Sequence, residues 1–142
     1  MRAMVELAAA DPDALITAER IAEAQQIPLK FLHNIFQELR HAKLVESHRG
    51  PVGGHRLARP ADEITVADVI RAIDGPLGAV AGDPPEEREY HGSTVRLRDT
   101  WVALRASVRS VLEIVTLADI ASDRLPRRIA GLIDEPDAWV RR

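Results

Sequence analysis

The stretch from Leu44 to Arg59, LVESHRGPVGGHRLAR, limits this chain more than any other: two short β-compatible runs flank a tip holding Gly50, Pro51, Gly53 and Gly54. Leu44-Val45 and Arg56-Leu57-Ala58 supply the apolar strand residues, and the tip lets the backbone double back. Arg49 stands before that tip, with Arg56 and Arg59 after it. A glycine-rich hairpin can approach another backbone closely, and arginines beside it suit phosphate oxygens or a narrow minor groove. The same residues fit an ordinary surface hairpin with solvated charges, so the flanking segments decide between the two readings.

Upstream, Pro28 sits where proline suits the first turn of a helix. That helix carries an apolar stripe of Phe31, Leu32, Ile35, Phe36 and Leu39, leaving Lys30, His33, Asn34, Gln37 and Arg40 to the opposite face. Before it, Thr17 caps a shorter helix with Ile21 and Ala22 facing inward, and Gln25-Gln26 makes the connection. Met4, Leu7 and Ala8 are spaced for a first helix, which Asp11-Pro12-Asp13 breaks. Two helices joined by a tight turn, then a basic hairpin, form the order of a winged helix-turn-helix. Lys30, His33 and Asn34 lie in the first two turns of the third helix, the part that enters a major groove. Asn suits a bidentate contact to adenine, Lys reaches guanine, and His donates to a base or phosphate. Gln37 and Arg40 continue the face; His48, Arg49, Gly50, His55 and Arg56 complete the candidate DNA-binding set from the hairpin. A merely wet helix face is the plain alternative.

The net charge of −3 argues against nucleic acid until its distribution is examined. Residues 28–59 hold six Lys/Arg against two acids, whereas residues 1–27 hold two against five. A basic patch on an otherwise acidic surface gives attraction with orientation. The chain has no cysteine, which rules out a disulfide, a thiol switch or a thiolate-held metal. No apolar run reaches the roughly 18 residues of a membrane span and no signal peptide is visible, so no membrane partner and a cytoplasmic location are expected.

Downstream of the hairpin, Thr65 caps a helix with Val66, Val69, Ile70 and Ile73 on one side, and Gly75-Pro76 stops it. Leu77 to Ser93, with its glycines, prolines and acidic run, reads as a mobile loop. Leu97, Trp101, Leu104, Val108, Val111 and Val115 then recur at alternating spacings of four and three, the pattern of a coiled-coil seam. A helix from Thr94 to Val115 would run about 33 Å, more than a small domain covers alone. A second copy of the chain would cover it; an intrachain core helix is the alternative. Thr116 looks like a further cap, and a tail with Ile129, Leu132 and Ile133 follows Pro126. No internal repeat stands out. The expected class is mainly α with a small β-hairpin wing, divided into a winged helix-turn-helix over 1–75, a loop over 76–93, and a dimerisation helix with its tail over 94–142.

In this order the chain resembles the bacterial winged-helix regulator family of IscR, NsrR and CymR. The matching residues are Arg2-Ala3-Met4 with Leu7-Ala8, Ile21-Ala22, Ile27-Pro28 with Phe31-Leu32, and Leu39 with Leu44-Val45. Most specific is Ser47-His48-Arg49-Gly50-Pro51 followed by Gly53-Gly54; Ile64-Thr65, Asp68-Val69-Ile70, Trp101 and Thr116-Leu117-Ala118-Asp119 support it. The resemblance implies a homodimeric, operator-binding transcription factor, usually a repressor, with the third helix in the major groove and the wing in the minor groove. By position it puts His33 and Asn34 on bases and Arg49 in the wing. His55 stands where the family commonly has an aromatic residue, and Lys43 where it has glycine. Iron–sulfur members hold their cluster through cysteines in the segment matching Leu77 to Ser93, and this chain has none, so no cluster, metal or other cofactor is expected. Glu86, Glu87, Glu89 and His91 read as a hydrated acidic segment. The family also carries several more residues before the position of Arg2.

The expected function is therefore a sequence-specific repressor, released from a palindromic operator by an effector that is a small molecule or a protein. A winged-helix module that binds protein alone is the competing reading, and the basic block opposes it. An enzyme has no support, since no nucleophile with its base and no phosphate-cradling loop is present.

Overall fold

The computed structural model describes residues 1–79 and 82–141. Among these residues seven α-helices and one hairpin follow in order: α1 Arg2–Ala9, α2 Ala18–Gln25, α3 Leu29–His41, β1 Val45–His48, β2 Gly54–Leu57, α4 Val66–Asp74, α5 Val95–Leu112, α6 Leu117–Ala121 and α7 Arg127–Ile133. Among these described residues, no helix is long and apolar enough to cross a membrane.

Local chemistry sets the boundaries. The Thr17 hydroxyl accepts from the Arg20 N–H and starts α2. Gln26, at φ +51°, ends α2 in the left-handed conformation, and Ile27 N–H then reaches back to the Ala22 carbonyl at 2.9 Å. Three residues thus separate α2 from α3, which gives the tight turn of a helix-turn-helix. After α3 the chain turns through Lys43, also left-handed at φ +57°.

The core of the winged unit is Met4 and Leu7 of α1, Ile21 of α2, Leu32, Phe36 and Leu39 of α3, Leu44 and Val45, and Ile64 with Val69 of α4. Leu117 of α6 joins them, fully buried. So α6, which the sequence division assigns to the C-terminal arm, packs beside α1 in the first unit. It is tied there by an antiparallel bridge between Thr65 and Thr116, with Val66 N–H donating to the Val115 carbonyl and Leu117 N–H to the Ile64 carbonyl, both at 2.9 Å. The two bridged segments share a pattern, Ile64-Thr65-Val66-Ala67-Asp68-Val69 and Val115-Thr116-Leu117-Ala118-Asp119-Ile120, identical at Thr, Ala and Asp and aliphatic elsewhere. Each opens its helix with the same capping box, Thr65 with Asp68 and Thr116 with Asp119. This short repeat passes unnoticed in the bare sequence because 45 residues of unrelated sequence separate its halves.

Two expectations need correction here. Phe31 does not complete the buried stripe of α3: it is 60% exposed, above a small cleft of about 170 Å³ shared with Met1, Ile27 and Ile35. At 100° per residue it points well away from the direction shared by Leu32, Phe36 and Leu39. The described part of Leu77 to Ser93 is not a free loop. Pro85 is buried, Glu86 pairs with Arg105 of α5 at 2.8 Å, and Gly78 approaches the Arg105 side chain so closely that a Cβ would lie 2.9 Å from it. Residues 80 and 81 of that expected loop lie outside the described residues.

Candidate nucleic-acid interface

The hairpin is antiparallel, pairing Val45 with Leu57, Glu46 with Arg56, Ser47 with His55 and His48 with Gly54. Successive residues alternate faces, so Val45, Leu57, Ser47 and His55 share the inner face and Glu46, Arg56 and His48 the outer. On the inner face the His55 ring stacks on Phe36 of α3, with centroids 4.0 Å apart and planes 13° from parallel. Its Nδ1 lies 2.7 Å from the Ser47 hydroxyl. The backbone of His55 also exchanges hydrogen bonds with Ile16, at 2.8 and 3.0 Å, so the α1–α2 connection is bridged to the outer edge of β2 at this one residue.

Paired glycines make this possible. A Cβ on Gly54 would sit 2.8 Å from the Ile16 carbonyl oxygen, and one on Gly53 would sit 2.3 Å from that of His48. The wing is thereby held along its β2 edge by Ile16, and the His55–Phe36 stack ties it to α3. Burial holds His55 below the usual histidine range, with the nearby positive charges of His33 and Arg40 adding to the shift. That cause also locates His33 and Arg40: they lie along the flank of α3 that faces the wing.

Lys30, His33, Asn34, Gln37 and Arg40 are all exposed. By helical geometry Lys30, Asn34 and Gln37 lie opposite the buried Leu32, Phe36 and Leu39. His41, one turn beyond Gln37, shares this face and was missed, although a spacing of four is the signal that finds it. On the wing, His48, Arg49 and Gly50 are exposed at the tip end of β1.

Two of the candidates serve the hairpin itself. Arg56 donates two hydrogen bonds to one Glu46 oxygen, at 2.9 and 3.0 Å across the strands, so its charge is matched on the spot. His55 is half-buried and faces α3. Arg59 is likewise matched by Asp68, at 3.6 Å. The basic block thus resolves into neutralised arginines at the base of the wing and Lys30, Arg40, Lys43 and Arg49, which meet no carboxylate among the described residues.

The seam on α5 has the opposite character. Leu97 and Leu104 are 43% and 51% exposed, Trp101, Val108 and Val111 are half-buried, and no residue of the helix is buried. Arg105 and Arg109 mark the flank turned toward the winged unit: Arg105 meets Glu86, and Arg109 shares Glu113 with Arg71 of α4. Val115 leaves the seam. The helix ends at Leu112, and Val115 is buried within the chain beside the Thr65–Thr116 bridge.

This chain is 50% identical over 135 residues to the HTH-type transcriptional regulator Rv1287 of Mycobacterium tuberculosis, covering 95% of this chain and 84% of that one. It is 34% identical to the HTH-type regulator CymR of Bacillus subtilis, over 84% of this chain and 81% of CymR. The solved structure of that CymR, described as the global cysteine regulator of B. subtilis, superposes with a TM-score of 0.71 at 32% identity, over 86% of this chain and 89% of that one. The T. potens IscR structure gives 0.69 at 30% identity, over 86% and 80%. Residues 1–123 match Rrf2, a family described as iron-dependent transcriptional regulators. The donor set here does not fit iron: the chain has no cysteine, and no three His, Asp or Glu of the described residues come together as a metal-binding group. Glu86, in the segment nearest to such a role, is held by Arg105 instead. With a winged helix-turn-helix, a polar α3 face and these relatives, the chain belongs to the Rrf2 family and is a transcriptional regulator, not an enzyme.

Proposed function

We propose that two copies of this chain join through the open seam of α5 and bind a palindromic operator, each with α3 in the major groove and the wing in the adjacent minor groove. The observation that carries this is the separation of two unmet surfaces. Unpaired cations and amide side chains gather on α3 and the wing tip, and uncovered apolar side chains gather on α5. Phosphate and base edges satisfy the first, and a second copy of the same stripe satisfies the second. The DNA-reading unit is residues 1–75 together with α6; residues 76–93 and α5 form the joint and the arm.

Bound over a promoter, the dimer represses transcription, and an effector, a small molecule or a protein, releases it. The joint is where such a signal acts. Arg71 of α4 and Arg109 of α5 meet at Glu113, and Arg105 ties the arm to Glu86. A ligand that breaks these pairs tilts the arm, changes the spacing of the two α3 helices and lowers affinity without touching DNA.

Binding to a fragment of the protein's own promoter, titrated against salt, tests the reading. Arg49→Ala is expected to weaken binding and flatten the slope of log K against log salt by about one unit. An unchanged slope takes the wing off the phosphates. Sedimentation of the free protein tests the dimer independently, and a monomer at micromolar concentration overturns it.

A further inference from the structure

Val52 is the most exposed large apolar side chain among the described residues, at 90%, and it occupies the wing tip between Pro51 and Gly53. Turn tips ordinarily take Gly, Asn, Asp or Ser, which solvate their own backbone, so a valine here is out of place as a mere connector. It is also held firmly. Gly53 N–H closes the turn onto the Gly50 carbonyl at 2.9 Å, Pro51 has a fixed φ, and a β-branched side chain has few rotamers. Pro51 and Val52 therefore present a stiff apolar point, with the unpaired Arg49 on the strand side of it.

We propose that Pro51–Val52 is a wedge that seats the wing on minor-groove base pairs lacking a guanine amino group, which makes Val52 a specificity-determining residue for A·T pairs beneath the wing. The inference rests on the operator-binding reading above. In the minor groove A·T and T·A pairs show only acceptors, whereas G·C adds the N2 amino donor in the middle of the floor. Valine accepts no hydrogen bond. On either pair it strips water from the floor acceptors, but on G·C it also strips water from that amino group, leaves the donor unpaired and meets its bulk; on A·T there is no such group to desolvate or to stand in the way. Narrow A·T tracts also concentrate the negative potential that draws Arg49, so both residues favour the same sequence for different reasons. Arg49 senses charge and groove width, and Val52 senses the amino group.

The test uses full-length protein on a duplex it selects from a random pool, with hydroxyl-radical footprinting to locate the pairs under the wing. Those pairs are then made A·T, G·C or I·C, since inosine keeps the major-groove face of guanine and lacks its amino group. Wild type is expected to bind A·T and I·C alike and G·C about tenfold less tightly. Val52→Gly should weaken A·T binding by about threefold to tenfold and shrink the G·C penalty to the part that Arg49 sets through groove width, about threefold or less, with the salt slope unchanged. Val52→Thr, which keeps the shape and adds an acceptor, should retain A·T affinity and shrink the G·C penalty to about threefold or less. Equal binding of G·C and I·C by wild type, or an undiminished G·C penalty in Val52→Gly, overturns the wedge while leaving the operator reading intact. A footprint with no protection under the wing overturns both.

Discussion

Helices α3 and α5 are both amphipathic, and both leave one face uncovered, yet the faces are unmet in opposite ways. On α3 most of the apolar side is used, with Leu32, Phe36 and Leu39 inside the core and Leu29 and Phe31 left exposed at its edge, and the face turned away from the core is Lys30, Asn34, Gln37 and Arg40. Water satisfies that face already, so a partner must offer something better than water, which phosphate does by releasing counterions. On α5 Arg105 and Arg109 are engaged by Glu86 and Glu113, and beside exposed polar side chains such as Arg96 and Arg98 an apolar strip is left outside at Leu97 and Leu104. Water does not satisfy that face at all. The first surface is therefore optional and switchable, and the second calls for a permanent cover.

The largest effect should come from breaking the second surface. Leu104→Glu replaces a side chain that is half exposed within one chain, so the fold of the monomer should survive. Across a two-fold axis it sets two carboxylates in an apolar contact, and dimer dissociation should rise on the order of a thousandfold or more. Operator affinity should fall about a hundredfold or further with it, because each half-site then binds alone. Sedimentation equilibrium and a binding titration read the two separately; a dimer that persists places the contact elsewhere.

Breaking the first surface should leave the dimer untouched. Asn34→Ala is expected to cost about 1–3 kcal/mol of operator binding and to relax selectivity at the base pair it meets, while Lys30→Ala weakens all duplexes more evenly if it meets phosphate. Loss of dimer in either variant would mean the two surfaces are not separate. A smaller effect sharpens the link between α3 and the wing. His55 is held below its ordinary value of 6.5, so the folded protein favours the neutral ring. The unfolded chain takes up its proton first as the pH falls below about 6.5, and wild type loses stability there until the folded ring protonates as well. His55→Phe keeps the stack on Phe36, and that part of the loss should vanish from urea midpoints compared at about pH 7.5 and 5.5. The carboxyls of Glu86, Asp99 and Glu113 are lowered by their arginine partners and act only in a more acidic window, so they do not confuse the comparison.

Much of this division is legible in the residues. The order of elements, the caps at Thr17, Thr65 and Thr116 and the polar side of α3 all follow from local rules, because caps and helical spacing are local physics. The misses are where a second element decides. Spacings of three and four admit Phe31 to the stripe, but only the placement of α1 determines which edge of that stripe is covered. Val115 continues the seam numerically, yet Glu113 and Ile114 turn the chain and the Thr65–Thr116 bridge takes Val115 inside. Arg56 reads as a free cation until the hairpin register puts Glu46 across from it. Val52 escaped because an exposed valine has no pattern to announce it.

The smallest effect lies at the joint between α3 and β1. Lys43 holds φ +57°, a conformation that costs a residue with a Cβ about 1–2 kcal/mol, and the family resemblance puts glycine at this position. Glycine removes that strain but gives the unfolded chain more freedom to lose, so Lys43→Gly should raise stability by a net ~0.5–1 kcal/mol. The lysine is also one of the unpaired cations beside the recognition helix, so the same substitution removes a charge from the DNA-reading side. If Lys43 meets a phosphate, the variant should be more stable yet bind its operator less tightly, with a shallower salt slope. If stability rises and the slope holds, Lys43 is only a strained turn, and the cationic surface narrows to Lys30, Arg40 and Arg49. Dimer dissociation should be the same in either case, since the turn lies on the winged unit, away from the α5 seam.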